Sequence, residues 1–262
     1  MRKFKRARMD SHTAVDSAIV ARARSLRSME AAEKSFVSKE MEACFPLHQM
    51  FLFEKKTIDD FADMFPYLIK FQGILIHQTF SRIAPACDPR PDYKGVLAKC
   101  LLYNSQRYIN VEDEYIRALL RIYDQMPVRG VQRKLNRFPS TEMHAVEHLV
   151  RWIKPTTNGF DSYLESMSDE SHPHIVCIAE PMKTGPLHVV LNRNVTVPVK
   201  TSIIAIDILF RSFTVFGVPV PSELIMLMDF LALVLYKTKN QSNRITVNKL
   251  AALFKEAAKA ED

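Results

Sequence analysis

Residues His172–Tyr236 read HPHIVCIAEPMKTGPLHVVLNRNVTVPVKTSIIAIDILFRSFTVFGVPVPSELIMLMDFLALVLY, and this stretch decides the fold class. Ile175–Ala179 and Leu187–Leu191 are apolar and rich in β-branched side chains. Between them EPMKTGP supplies a glycine and two prolines, the residues a chain reversal needs, so the two runs read as a hairpin. Val195–Val199 alternates and gives a third short strand. Thr201 or Ser202 then caps a helix through Arg211 that presents Ile203, Ile206, Leu209, Phe210 and Phe213. VPVPSE stops that helix and starts the next, with Ser222 as its N-cap. The expected fold is α+β and predominantly helical, with a small antiparallel hairpin or three-stranded sheet near residues 174–200.

Composition limits what the chain can do. At 262 residues with 47% apolar side chains it can bury a sizeable core. Its 6 glycines include no GxGxxG or GxxxxGK[ST], so a loop that brings backbone close to a nucleotide phosphate is not encoded. Cys44, Cys87, Cys100 and Cys177 stand singly, without the paired spacing of a zinc knuckle or a disulfide framework. Free thiols in a reducing compartment are the expectation, hence a nuclear or cytoplasmic chain and not a secreted one. RKFKRARMDSH runs into polar, helix-forming sequence without the apolar stretch of a signal peptide. The apolar runs Ile203–Phe216 and Leu224–Tyr236 contain Asp207, Arg211 and Asp229, and a bilayer span needs about 20 residues with few charges. Both are read as core helices, with no membrane span.

The rest of the chain reads as helices joined by polar connections. Ser11 to about Cys44 is rich in Ala, Glu, Arg, Lys and Met without Gly or Pro, which favours one long helix. Its heptad positions include charged residues, so a surface helix suits it better than a coiled coil. After Pro46, Thr57 is an N-cap with Asp59 and Asp60 in the first turn. Phe51, Phe53, Phe61, Met64, Phe65, Leu68, Ile69, Phe71, Leu75 and Ile76 are expected to form an N-terminal core, since few basic residues interleave them as a base-stacking platform would require. Helices follow over Val96–Tyr103 and over Val111–Gln125, the second with Ile116, Leu119, Leu120 and Tyr123 on one face. A further helix, TEMHAVEHLVRWIK, is capped by Ser140 and ended by Pro155. The regions are thus 1–44, a basic arm and long helix; 45–128, helical; 129–140, a basic connector; and 141–262, the C-terminal α+β part.

Charge is concentrated at the start. Arg2, Lys3, Lys5, Arg6 and Arg8 supply five of the net charge of +7, leaving +2 for the other 254 residues. A run such as RKFKRAR suits nuclear import or contact with a polyanion, and equally a solubilising terminus. Arg129, Arg133, Lys134 and Arg137 form a second cluster that can pair with phosphates without reading sequence. As charge runs in connections are usually just solvated, this is the weaker of the two.

Two patterns imitate metal sites. His144, Glu147 and His148 spell HxxEH, in which histidines one turn apart hold zinc while the carboxylate activates water. At about 100° per residue they lie on the polar arc of the expected helix, opposite Met143, Val146, Leu149, Val150 and Ile153. Downstream sequence supplies no matching acidic helix, so they read as surface histidines. In HPHxxC, strand alternation puts His174 and Cys177 on opposite faces, and a fourth ligand is lacking. No metal or cofactor is therefore expected. GxSxG and SxxK are absent too, which argues against the common nucleophilic enzymes.

The order HPHIVCIAE, LHVVLN, AIDILFRSFTVFGVPVP, LMDFLALVLY resembles the C-terminal segment of a large family of uncharacterised animal proteins, many of transposable-element origin. The matching positions are Ile206, Leu209, Phe210, Phe213, Val215, Phe216, Pro221, Phe230, Leu231 and Tyr236, over roughly the last 70 residues. Such proteins often carry zinc fingers upstream; this sequence has none, and the resemblance implies no activity. The functional expectation is a non-enzymatic interaction protein whose basic arm contacts DNA or RNA, with a protein partner or self-association besides. A self-assembling nucleocapsid- or matrix-type protein is the alternative, and an HxxEH zinc hydrolase the remote one.

Overall fold

The computed structural model describes residues 15–29, 32–88, 91–102, 108–126, 148–168, 171–238 and 244–259. The N-terminal half is helical: α1 (Ser17–Ser28), α2 (Lys34–Ala43), α3 (Phe45–Phe53), α4 (Ile58–Met64), α5 (Ile74–Ile83), α6 (Tyr93–Leu102) and α7 (Glu114–Asp124). The C-terminal half runs β1 (Val150–Ile153), α8 (Gly159–Glu165), β2 (His174–Ile178), β3 (Leu187–Val190), β4 (Thr196–Val199), α9 (Ser202–Val215), α10 (Ile225–Val234) and α11 (Ile245–Lys259). The fold is α+β and predominantly helical, as the sequence implies.

The sheet has the order β1-β2-β3-β4. The three strands expected from the sequence pair antiparallel, with Ile175 opposite Val189 and Val189 opposite Val197. The fourth strand is a departure from the sequence pattern. Val150–Ile153, expected as the end of a helix, instead pairs parallel with β2, Val150 opposite Ile175 and Trp152 opposite Cys177. Parallel pairing needs a crossover, which α8 provides, and no local turn signal announces such a partner. VRWI carries two β-branched residues and a Trp, and pairing in a sheet outweighs the helical periodicity upstream.

Alternation sorts the strand residues onto two faces. Val150, Ile175, Cys177, Leu187, Val189, Val197 and Val199 face α9 and join the main core. Val176, Val190, Ile153 and Ile178 face the other way, under Phe160, Leu164 and Met167 from α8 and the turn after it. His174 and Cys177 do fall on opposite faces. α9 is the central helix: it packs on β2, β3 and β4 and, on its other sides, on α5 and α7. Ile206, Leu209, Phe210 and Phe213 are buried, with Phe210 stacked on Tyr236 at 4.0 Å between ring centroids. Thr201 Oγ1 caps it by accepting the Ile204 amide at 3.3 Å.

Local corrections have local causes. The single helix expected over 11–44 is two, since the chain turns extended at Met29, whose carbonyl accepts the Tyr67 hydroxyl at 3.0 Å. That turn lets α1 pack on α4 while α2 packs on α5. The expected cap at Ser222 is displaced to Leu224, the Leu224 and Ile225 amides donating to the Pro221 carbonyl. In the N-terminal core Phe51, Phe61, Phe65, Leu68, Leu75 and Ile76 are buried, but Phe53 is 73% exposed at the end of α3 and Phe71 is also exposed. Thr57 and Asp60 form a reciprocal capping box on α4.

The hairpin is pinned at both ends. Glu112 accepts from Lys183 Nζ at 2.6 Å and from the Thr184 amide at 3.0 Å, and Trp152 Nε1–H donates to the Lys183 carbonyl at 2.9 Å. At the opposite turn Asn192 and Asn194 donate to Asp59, 3.1 and 3.2 Å away.

Candidate functional site

The residues expected to contact nucleic acid, Arg2, Lys3, Lys5, Arg6, Arg8, Arg129, Arg133, Lys134 and Arg137, lie outside the described residues, as do His144 and Glu147. Downstream of the arm, α1 begins after Asp16, whose carboxylate accepts the Ala18 amide at 3.1 Å, and it carries Arg22, Arg24 and Arg27 on its exposed side. Arg22 reaches Glu40 at 3.1 Å, and Arg27 reaches Asp63. Arg24 stays exposed, so the basic character of the arm continues weakly onto the body.

Among the described residues, two gatherings of partly buried polar side chains stand out. The first is around Asp207, on α9. Its Oδ1 accepts from the Tyr93 hydroxyl at 2.8 Å, the Tyr236 hydroxyl at 2.7 Å and Arg211 Nε–H at 2.6 Å. The two hydroxyls also touch each other, so three contacts share two protons and the tyrosines serve the carboxylate in turn. His77 Nδ1 stands 3.7 Å from the second oxygen, Oδ2. Burial alone would raise the Asp207 carboxyl, but the His77 contact, the Arg211 charge and the Tyr236 hydroxyl outweigh it and hold it below the usual carboxylate range. Burial, with the neighbouring phenol and carboxylate, pushes both tyrosines well above their ordinary range, so they remain protonated donors.

Arg211 completes this cluster and is 1% exposed. Its two terminal nitrogens have no hydrogen-bond partner; the guanidinium lies 4.8 Å from the Phe80 ring centre and 5.1 Å from that of Tyr236. The aromatic faces take the place of acceptors. The network ties α9 to α6 through Tyr93 and to the end of α10 through Tyr236. An oxygen held by the Arg211 guanidinium and served by two hydroxyls is not poised as a base, and this cluster reads as a structural clamp.

The second gathering joins the two sequence patterns that imitated metal sites. Parallel pairing of β1 and β2 sets His148, just before β1, beside His172, just before β2. Their rings lie 5.6 Å apart at 22°, and His172 Nε2–H donates to the His148 carbonyl at 2.9 Å. His148 is thus half-buried against a neighbour and does not stand free on a solvated helix face. His174 Nδ1–H donates to the His172 carbonyl at 2.8 Å, which leaves its Nε2 lone pair to accept the Tyr163 hydroxyl at 2.6 Å. Burial lowers His172 and pushes His174 down to about 4. No group of three or more His, Cys, Asp or Glu able to hold a metal ion is found among the described residues.

Among the described side chains the thiols do not offer a nucleophile. Cys44, Cys87 and Cys177 are buried, and burial pushes each up to about 11, so the thiolate is scarce at neutral pH. Among the described residues no helix is long and apolar enough to cross a membrane. Comparison with protein-family models, with curated proteins and with solved structures gives no match.

Proposed function

We propose that the protein is a non-enzymatic interaction protein of mobile-element-like origin, nuclear or cytoplasmic, that contacts nucleic acid through Arg2, Lys3, Lys5, Arg6 and Arg8. The observation that carries this reading is the charge distribution: the first eight residues hold five of the net +7. A cationic arm on a nearly neutral body gains affinity by releasing counterions from phosphates and reads no bases. Arg24 on α1 extends that basic character, and the 129–137 cluster offers a second contact of the same kind. The body supports a binding role, since the Asp207 carboxylate is engaged by Tyr93, Tyr236 and Arg211 and the buried thiols of Cys44, Cys87 and Cys177 stay protonated.

Fluorescence anisotropy with labelled duplex DNA and single-stranded RNA tests the reading. Deleting Met1–Met9 removes five cations, so the slope of log affinity against log salt should flatten by about 4–5 on duplex DNA. Most affinity should vanish at about 0.2 M salt. Unchanged binding by the truncated protein would remove the arm from the interface. Light scattering of the intact chain with and without RNA separates this reading from an assembling shell protein, which would form large particles.

A further inference from the structure

α8 is fastened differently from the other helices. None of its residues is fully buried, and its apolar contacts form a small cluster apart from the main core. Phe160, Tyr163, Leu164 and Met167 cover Ile153, Val176, Ile178 and Val190 on the outer sheet face. The polar fastening is a relay across three elements: Tyr163 of α8 donates to His174 of β2, His174 to the His172 carbonyl, and His172 to the His148 carbonyl ahead of β1. Phe160 rests on His188 of β3, ring centres 4.6 Å apart, and Nδ1 of that histidine has no partner.

The step from Tyr163 to His174 needs a neutral imidazole. The His174 Nε2 lone pair is what accepts the Tyr163 proton, and a second ring proton would turn acceptor into donor. The new charge would be buried, at 3% exposure, among like charges. The groups facing it are Arg151 of β1, whose guanidinium lies 5.6 Å from the Tyr163 ring centre, His148 and His172. Glu223, ahead of α10, is the acid that acts on His172.

We propose that α8 is an acid-released flap, held on the sheet by neutral His172, His174 and His188 and freed when they take up protons, while the main core stays folded. Release would bare an apolar strip of Ile153, Val176, Ile178 and Val190. The sign follows from burial. In the open form these histidines titrate near the solvated value of 6.5, and in the closed form His174 is pushed down to about 4 and His172 and His188 are also lowered. The open form therefore binds protons more readily, and closure is strongest above pH 6.5 and weakens as pH falls toward 4. Between pH 6.5 and 4 His174 alone shifts the closed-to-open ratio by roughly 80-fold.

Hydrogen exchange of the full chain at about pH 7.5 and about pH 5, corrected for intrinsic rates, tests this. Protection over residues 159–168 should fall at least roughly tenfold at the lower pH and lie well below that of α9. His174→Gln keeps an acceptor for Tyr163 but takes up no proton, so its flap should open with acid far less than the parent's, by the share of His172 and His188 alone. Tyr163→Phe, which lacks the donor, should loosen the flap already at the higher pH. Equal protection of 159–168 in the parent at both pH values would overturn the proposal, as would one shared level of protection for 159–168 and α9 at the lower pH. Opening of His174→Gln with the parent's pH dependence would overturn it too.

Discussion

At the scale of single residues, the Asp207–Arg211 pair shows how a buried charge is tolerated. Asp207 has four neighbours to serve it: Tyr93, Tyr236, Arg211 and His77. Arg211 has Asp207 and two aromatic faces, and its terminal nitrogens donate to nothing. The two halves of the pair are therefore not equally dependent on each other. Asp207→Asn would leave a guanidinium buried without a counter-charge, at a cost of about 3–5 kcal/mol. Arg211→Met leaves a carboxylate that keeps both hydroxyls and His77, and a side chain that fits between aromatic rings, so it should cost less. Urea unfolding at neutral pH gives the order; a larger loss for Arg211→Met would show that the guanidinium, and not the carboxylate, organises the cluster. In the sequence these two charges stand out only as interruptions of an apolar run. Their partners, Tyr93 and Tyr236, come from segments far apart in the chain and carry no local pattern that could mark them.

At the scale of elements, junctions decide what packs. α5 begins at Gly73, in the left-handed region at φ 71°, after Phe71 and Gln72 at φ 51° and 57°. This reversal brings the start of α5 against α9 and β4. A methyl group at Gly73 would meet Ile208 Cδ1 at 2.6 Å and Val197 Cγ1 at 3.3 Å. Gly73→Ala should therefore destabilise by about 1–3 kcal/mol, combining left-handed backbone strain with displacement of the Ile208 side chain. Thermal unfolding of the variant measures it, and a parental melting temperature would mean that the junction relaxes freely. Features decided within a few residues are legible in the sequence: the Thr57 cap, the hairpin around EPMKTGP, and the buried face of α9 at Leu209, Phe210 and Phe213. Those decided by distant partners are not. Val150–Ile153 becomes a strand only because β2 lies beside it, and the break at Met29 follows from the Tyr67 hydroxyl that takes its carbonyl. Phe53 and Phe71 look like core in sequence, as aromatics amid apolar neighbours do, yet Phe53 sits where α3 ends and Phe71 in the left-handed reversal ahead of α5. The histidine relay is hidden for the same reason, since His148 and the His172–His174 pair look like two unrelated motifs until the crossover joins them.

At the scale of the whole molecule, main-core stability should depend on acidity through His48. It is 1% exposed, lies between Phe61 and Phe65 at 4.9 and 5.8 Å, and neither ring nitrogen has a hydrogen-bond partner. Burial pushes it down to about 3, so the unfolded chain, titrating near 6.5, binds its proton first. Its neutral form is therefore compatible with the fold above pH 6.5, and stability is lost progressively as pH falls from there toward 3. At about pH 5 the loss from this one residue is about 2 kcal/mol, a large part of an ordinary stability. Carboxylates held low by their partners, such as Asp207 and Glu223, begin to contribute only below the usual carboxylate range, so the interval from about pH 6.5 to about 4.5 belongs to the histidines. His48→Met fills similar space without polar atoms to leave unsatisfied, and it should raise stability at neutral pH by about 1–2 kcal/mol. The gain should widen to about 3–4 kcal/mol at about pH 5, because the parent continues to lose what the variant no longer can. Urea unfolding at the two pH values measures both gains, while exchange over residues 159–168 should open with acid as in the parent, His48 lying in the main core and the flap outside it. A difference between His48→Met and parent that stays constant between neutral pH and about pH 5 would remove His48 from the acid response and assign all of it to the sheet face under α8.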